Sequence, residues 1–523
     1  MKKIILFIFV LTLFVVACKK SEQINSISPS ERTLAFSPKE TVNSQGLVPI
    51  SREKLEAMVL EELKAKNDFR WSWTSDLVFW SATKAAKPTV AIGYKPLNVG
   101  DISNSIERID IHEKSWQAVH DALLDLIVNE LNNASPNSKI IARDILIEDD
   151  EKLPRIVVRL DNYDVIAKLR SCQNIRYIEP LDFDFAPKDE GRSNSGCSGA
   201  AVSSLPTADY TTITPNNCVV PWNYTNANIP AAWNLASTPQ AQNGKNITIG
   251  LVDAGISSTQ PLLNANFASG SSFTGRTRTV GATLGTSGYT GCTHGSSMCG
   301  LAAGPRNNVG STVGVAYNSN LRFIRAAEDV VLDGDNEKTA VKNAFVQLGD
   351  DANVKIISMS MGTPFYSGTL EDGVNYAYNK GKLIFCAAGT SLWWTSWYGV
   401  IYPAKHDKCV AMTGIKENGN TCTVCHDGSE VDFTVIMERN VNADRLSLSY
   451  HSAANLPSYV GGSSCSTAMG AGIAAMVWSV NPSLTRAQIM TILKTTSQYT
   501  SPTGNVGYGK LNALKAVQAA MAI

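Results

Sequence analysis

The stretch Gly461–Asn481, GGSSCSTAMGAGIAAMVWSVN, decides how this chain is read. A Gly-Gly-Ser-Ser turn runs into fourteen small or apolar residues, Thr467 to Val480, without a charged side chain. Small residues at Ala468, Gly470, Ala471, Gly472, Ala474 and Ala475 predict a helix packed closely on every side. A bilayer span needs about 20 such residues, so this helix belongs to a protein core. A serine where the glycine turn enters the helix has its hydroxyl at the mouth of that core. Outward-pointing N–H groups there favour developing negative charge. The place suits a nucleophile and equally suits a helix cap; partners elsewhere in the chain decide between them.

Upstream of that helix, apolar strand-like runs alternate with helical ones. The strands are ITIGLVDAG (247–255), LRFIRA (321–326), VKIISMSMG (354–362), KLIFCAAG (382–389) and CVAMTGI (409–415). Helices are expected after His294, from about Lys338, and near Leu370 to Lys380. This alternation predicts an α/β fold, a parallel sheet covered by helices on both faces. In such sheets, sites form at the carboxyl ends of strands. Asp253 ends one apolar strand before Gly255, and a buried carboxylate there requires a partner. His294 opens a helix of small residues in GCTHGSSMCGLAAG. With Ser464, these give the chain order Asp, His, Ser, one of the known orders of a nucleophilic triad. Singly, Asp253 reads as a turn former and His294 as a core histidine. His112, His120, His406, His426 and His451 lack a comparable context.

The chain has 523 residues, with 46 basic and 46 acidic side chains, so no whole-chain field attracts nucleic acid. Its opening, MKKIILFIFVLTLFVVAC, has two lysines and an apolar run from Ile4 to Ala17. That is the layout of an export signal. The end, VVAC, resembles the acylation box of bacterial lipoproteins, which implies lipidation at Cys18, a membrane anchor and a place in the bacterial cell envelope. The plainer alternative is a signal peptide with an incidental cysteine. Export makes disulfides expected among the other ten cysteines, whose connectivity does not follow from sequence. His406, Cys409, Cys422 and Cys425 have zinc-like spacing, but a disulfide among the three cysteines is the expected reading.

Residues 1–17 are thus read as signal peptide and 18–45 as a polar tether. In SREKLEAMVLEELKAKND, Leu55, Met58, Val59 and Leu63 share a helical face, with Ser51 as cap. Trp71, Trp73 and Trp80 read as packing residues. Then follow TVAIGY (89–94), a helix with Val119, Leu123, Ile127 and Leu131 in register, DILIE (144–148), RIVVRL (155–160), a short helix in NYDVIAKLRS, and IRYIEP (175–180). The order β-α-β-β-α-β predicts a ferredoxin-like α+β core at about 88–182, within a unit spanning 46–186. Residues 187–217 are Ser/Gly/Asn/Thr/Pro-rich and read as a linker. The α/β part spans 218–523.

Several motifs now stand in order: GLVDAGI, THGSSMCG, SMSMG, CAAGT, GGSSCSTAMGAG and YGKLNALKAV. From about Val220 onward the chain resembles the subtilisin-like serine proteases, and KLRSCQNIRYIEP resembles the end of their inhibitory prodomain. The resemblance implies a serine endopeptidase made as a zymogen, with the N-terminal unit as intramolecular inhibitor and processing in 187–217. Peptides or proteins would be its substrates. It implies Ser464 as nucleophile, His294 as proton carrier and Asp253 as the group that orients His294. Ser360, Met361 and Gly362 would line the substrate as an added strand, and Ala387, Ala388 and Gly389 would wall the pocket for the residue before the cut. The oxyanion hole would use the Ser464 N–H and the side chain at 390. No catalytic cofactor or metal is implied; calcium is a structural ion that the acidic loop Asp333–Glu337 would hold, with a solvated loop as the default.

The sequence departs from the family pattern in places. Thr390 stands where the family has an asparagine, a donor worth about 2.7–4 kcal/mol. Met469 and Ala468 replace a histidine and a proline after the nucleophile, and Val431-Asp432 continues as FTVIMERN instead of Ala-Pro-Gly. Trp393, Trp394 and Trp397 follow Thr390, as a lid or an aromatic subsite. Cys465 reads as a buried thiol. These departures leave two alternatives open: a catalytically impaired binding protein, and a peptide transferase or cyclase that uses the same acyl-enzyme.

Overall fold

The computed structural model describes residues 34–38, 44–137, 139–183, 197, 200–214, 217–236, 243–332, 334–390, 398–443, 445–452 and 455–523. Cys18 with its signal peptide, most of the tether and linker, Asp333, and Trp393, Trp394 and Trp397 lie outside the described residues.

The N-terminal unit contains α1 (Arg52–Lys66), α2 (Asp76–Ala85), β1 (Thr89–Tyr94), α3 (Lys114–Ala134), α4 (Ala142–Ile145), β2 (Leu146–Asp149), β3 (Arg155–Arg159), α5 (Tyr163–Arg170) and β4 (Ile175–Pro180). Its sheet has the order β2-β3-β1-β4, antiparallel throughout. Period-two alternation gives the sheet two working faces. Val90, Ile92, Ile156, Val158 and Ile178 pack against the helices, in a core that includes Leu55, Val59, Leu63, Leu123 and Ile127. Ala91, Val157, Tyr177 and Leu181 lie on the other face. Ser51 caps α1. Met58, expected on the inner face of α1, is exposed; Trp71 and Trp80 are buried and Trp73 is exposed.

Beyond a hairpin of β5 (Tyr210–Ile213) and β6 (Cys218–Pro221) comes α6 (Ile229–Ala236), and then the main sheet. Its strands are β7 (Thr248–Asp253), β8 (Arg278–Ala282), β9 (Asn320–Arg325), β10 (Val354–Met359), β11 (Leu383–Ala387), β12 (Cys409–Lys416) and β13 (Phe433–Glu438). They lie in the order β13-β12-β11-β10-β7-β9-β8, all parallel. The five expected strands fill its centre. β8 and β13 were not anticipated, and β13 is where FTVIME continues as an edge strand. Helices α7 (His294–Ala303), α8 (Asp335–Asp350) and α9 (Gly368–Asn379) follow, then the hairpin β14 (Ser447–Tyr450) and β15 (Pro457–Val460), and finally α10 (Gly462–Val480), α11 (Arg486–Thr496) and α12 (Ala513–Met521). One face of the sheet carries α6, α7, α10, α11 and α12; the other carries α8 and α9.

Every residue of α10 is buried. The helix begins at Gly462, so Ser464 lies within its first turn rather than in a preceding turn. Small residues permit this position. A Cβ at Gly472 would lie 2.7 Å from Val315, and one at Gly470 would lie 2.9 Å from Met412.

The N-terminal sheet sits on α8 and α9. The carboxylate of Glu179 accepts hydrogen bonds from the Ser367 hydroxyl (2.9 Å) and the N–H groups of Gly368 (3.1 Å) and Thr369 (3.0 Å), at the positive end of α9. Arg176 donates to both oxygens of Asp372 at 2.8 and 2.6 Å. Buried Lys342 of α8 pairs with Asp150 and Glu148.

Candidate active site

Strands β7 and β10 are neighbours, as are β10 and β11, so their carboxyl ends stand in a row. Asp253 is the last residue of β7, Ser360 follows β10, and Ala387 ends β11. His294 opens α7, which packs against both α10 and β7. This close approach needs two glycines: a Cβ at Gly295 would lie 2.2 Å from the carbonyl oxygen of Gly255, whose own φ is +126°. The result is a hydrogen bond of 2.8 Å between Nδ1 of His294 and Oδ1 of Asp253. The same oxygen accepts from the Ala254 N–H at 2.8 Å. Burial disfavours the charged imidazole, but the Asp253 carboxylate and its hydrogen bond outweigh burial and raise the His294 pKa above its ordinary value.

Ser464 is buried and donates its hydroxyl to the carbonyl oxygen of Ser360 at 3.2 Å. Among the described residues, no hydrogen bond joins Ser464 to His294. The Ser360 hydroxyl in turn donates to the Ser464 carbonyl at 3.0 Å, tying the two segments together. The Thr390 hydroxyl lies 3.3 Å from the Ser463 hydroxyl, which also accepts from the Gly389 N–H at 3.1 Å.

The structure adds two features at the expected substrate edge. Met361 points into the core on the α8 and α9 side, so its side chain does not line the groove. The backbone of Gly362 is already paired: its N–H donates to Val330 (3.1 Å) and its carbonyl accepts from Leu332 (2.9 Å). The strand position expected for substrate is therefore held by residues 330–332. Ala387 and Ala388 are buried, and Gly389 has φ +125°.

The expected disulfide among Cys409, Cys422 and Cys425 joins the last two, and Cys197 pairs with Cys292, two residues before His294. Cys409 stays a free thiol, because it sits in the core between β12 and β11, where burial pushes its pKa well up. Burial likewise raises Cys465, which is no thiolate nucleophile. His406 bonds Glu371 and Asp407. No cluster of three or more His, Cys, Asp or Glu suited to a metal occurs among the described residues. Glu337, from the loop considered for calcium, instead closes the start of α8, accepting from Gly334 (2.9 Å) and Glu328 (2.7 Å). The described residues thus do not fit a calcium site there.

The Subtilase family profile matches residues 244–509. The chain belongs to the subtilase family. Subtilisin BL of Lederbergia lenta is 29% identical over 298 residues, covering 56% of this chain and 97% of the relative. Thermitase of Thermoactinomyces vulgaris is 28% identical over 294 residues, covering 55% of this chain and 92% of the relative. MycP1 from Mycobacterium smegmatis superposes at 18% identity over 59% of this chain and 88% of its own, with a TM-score of 0.44. This subtilase is accordingly a serine endopeptidase, a hydrolase of a family that needs no catalytic cofactor.

Sequence reasoning missed two residues around this subtilase's groove. The ring of His426 lies behind Gly389, 4% exposed, and burial pushes its pKa down to about 4. Ile401 lies between the segments 360–362 and 387–389. Both residues sit in loops without periodicity, where only the three-dimensional structure brings them to the site.

Proposed function

We propose that this subtilase is an exported, lipid-anchored zymogen that hydrolyses peptide bonds through an acyl-enzyme on Ser464. The observation that carries the reading is the 2.8 Å bond to buried Asp253 from His294, on a helix that packs against α10. In the reaction the Ser464 hydroxyl turns from Ser360 to His294. His294 accepts its proton as the serine oxygen bonds to the scissile carbonyl carbon. Asp253 holds the ring in the required tautomer and stabilises the imidazolium. His294 then gives the proton to the leaving amine, and water attacks the acyl-enzyme by the same steps in reverse.

The oxyanion would be held by the Ser464 N–H at the positive end of α10 and by Thr390. The Ser463 hydroxyl accepts from the Gly389 N–H, which leaves its own hydrogen for the Thr390 oxygen. The Thr390 hydrogen is then free to donate into the site. Substrate pairing at Gly362 requires residues 330–332 to yield.

The zymogen reading rests on the N-terminal sheet docked over α8 and α9. Cys197 is tied by its disulfide to Cys292, two residues before His294. Export and anchoring at Cys18 rest on the sequence alone. The test is incubation of the full chain and its Ser464→Ala variant with a defined peptide, read by mass. Two products that together weigh one water more than the peptide, absent with the variant, are expected. Joined or cyclised products without added water would replace hydrolysis with transfer.

A further inference from the structure

We infer that Ile401 closes the floor of the pocket for the residue before the cut, confining that residue to glycine, alanine or serine. The inference rests on the proposed reading, in which 360–362 and 387–389 wall that pocket. Along 360–362 side chains alternate. Ser360 bonds Ser464 and Met361 enters the core, so position 362 faces the same side as Ser360. That face has no side chain at Gly362, and the space is filled from across the groove. A Cβ placed there would lie 2.3 Å from the Tyr402 carbonyl oxygen, and 2.5 Å from Cδ1 and 2.9 Å from Cγ1 of Ile401. On the opposite wall, a Cβ at Gly389 would lie 3.1 Å from Cγ2 of the same isoleucine. The two branches of one side chain therefore reach both walls.

Ile401 is held in this position. Its N–H donates to the Ala388 carbonyl at 2.9 Å. The next residue, Tyr402, exchanges two backbone hydrogen bonds of 2.9 Å with Thr363. The segment is thus tied to each wall in turn. A β-branched side chain has few rotamers to turn into, and His426 already occupies the space behind Gly389. Ile401 is partly buried and packs against the hydrophobic cluster centred on the N-terminal unit. A substrate side chain longer than a methyl or hydroxymethyl group meets Ile401 before it can descend between the walls.

The test compares tetrapeptide p-nitroanilides that differ only in alanine or phenylalanine before the cut, alongside mass-spectrometric mapping of cuts in a denatured protein mixture. Fluorophosphonate labelling of Ser464 counts active sites. The expected kcat/KM favours alanine by about 10²-fold, and mapped cuts follow small residues. Ile401→Gly should reverse the ratio toward phenylalanine, and Ile401→Ala should shift it part of the way. The wild-type cut map decides even where a variant fails to fold. Labelled enzyme that cuts after phenylalanine as well as after alanine overturns the inference alone. Absence of Ser464 labelling overturns the catalytic reading and the inference with it.

Discussion

At the scale of single residues, the account turns on His294 and the groups that hold Ser464. In the proposed mechanism His294 acts only when neutral, and its pKa is raised, so activity should fall on acidification while the pH is still above the ordinary histidine value of 6.5. A kcat/KM profile on a small peptide checks this. The acid limb should have its midpoint above 6.5, and Asp253→Asn should lower kcat by about 10⁴-fold. Thr390 offers a second test. If its hydroxyl donates to the oxyanion, Thr390→Val should reduce kcat by about 10²-fold with KM little changed. Ser463→Ala, which removes only the group that orients that hydroxyl, should cost less. Equal kcat for Thr390→Val and wild type would leave the Ser464 N–H as the sole donor of the account.

At the scale of elements, the groove is bounded by segments that exchange partners. Residues 330–332 hold both backbone groups of Gly362. Binding of a peptide boronate should free the Leu332 amide to exchange while the Gly362 amide, passed to the ligand, stays protected; amide exchange by mass spectrometry reads both. The loop carrying His426 sets acid stability. The histidine's folded pKa of about 4 lies below its unfolded value, so stability is fully present above pH 6.5 and declines as pH falls toward 4. On the order of 3 kcal/mol would be lost over that window. Denaturant melts at pH 7 and pH 4.5 should show a smaller loss for His426→Phe than for wild type.

The elements that carry the proposed triad were legible in the sequence because apolar runs end in Asp253 and near Ser360, and because His294 and Ser464 open stretches of small residues. The helix from Gly462 was read five residues short, since its first turn is written in turn-forming residues. Ile401, His426 and segment 330–332 carry no periodic pattern, and their roles come from contacts between distant loops. The pairing of Cys197 with Cys292 was illegible for the same reason.

At the scale of the whole molecule, the N-terminal sheet is joined to the catalytic part by a polar seam. Buried Glu179 satisfies the first N–H groups of α9, so Glu179→Ala would leave those donors buried and unpaired, costing about 1–3 kcal/mol for each. The variant's full chain should gain peptidase activity sooner than wild type in a time course of processing. An unchanged lag would mean that the seam does not restrain the enzyme. The same N-terminal unit also bonds the residues flanking Ile401: Asn67 accepts from the Gly399 N–H at 2.9 Å, and Arg70 donates to the Tyr402 hydroxyl at 3.3 Å. In the proposed reading, restraint and support come from one body.

The most direct test of the central claim is fluorophosphonate labelling of the full chain, read by intact mass beside Ser464→Ala. The account expects a single label on Ser464 once the N-terminal unit has been lost, and none on the variant. Failure to label after that unit is removed by added protease, or equal labelling of Ser464→Ala, would contradict it.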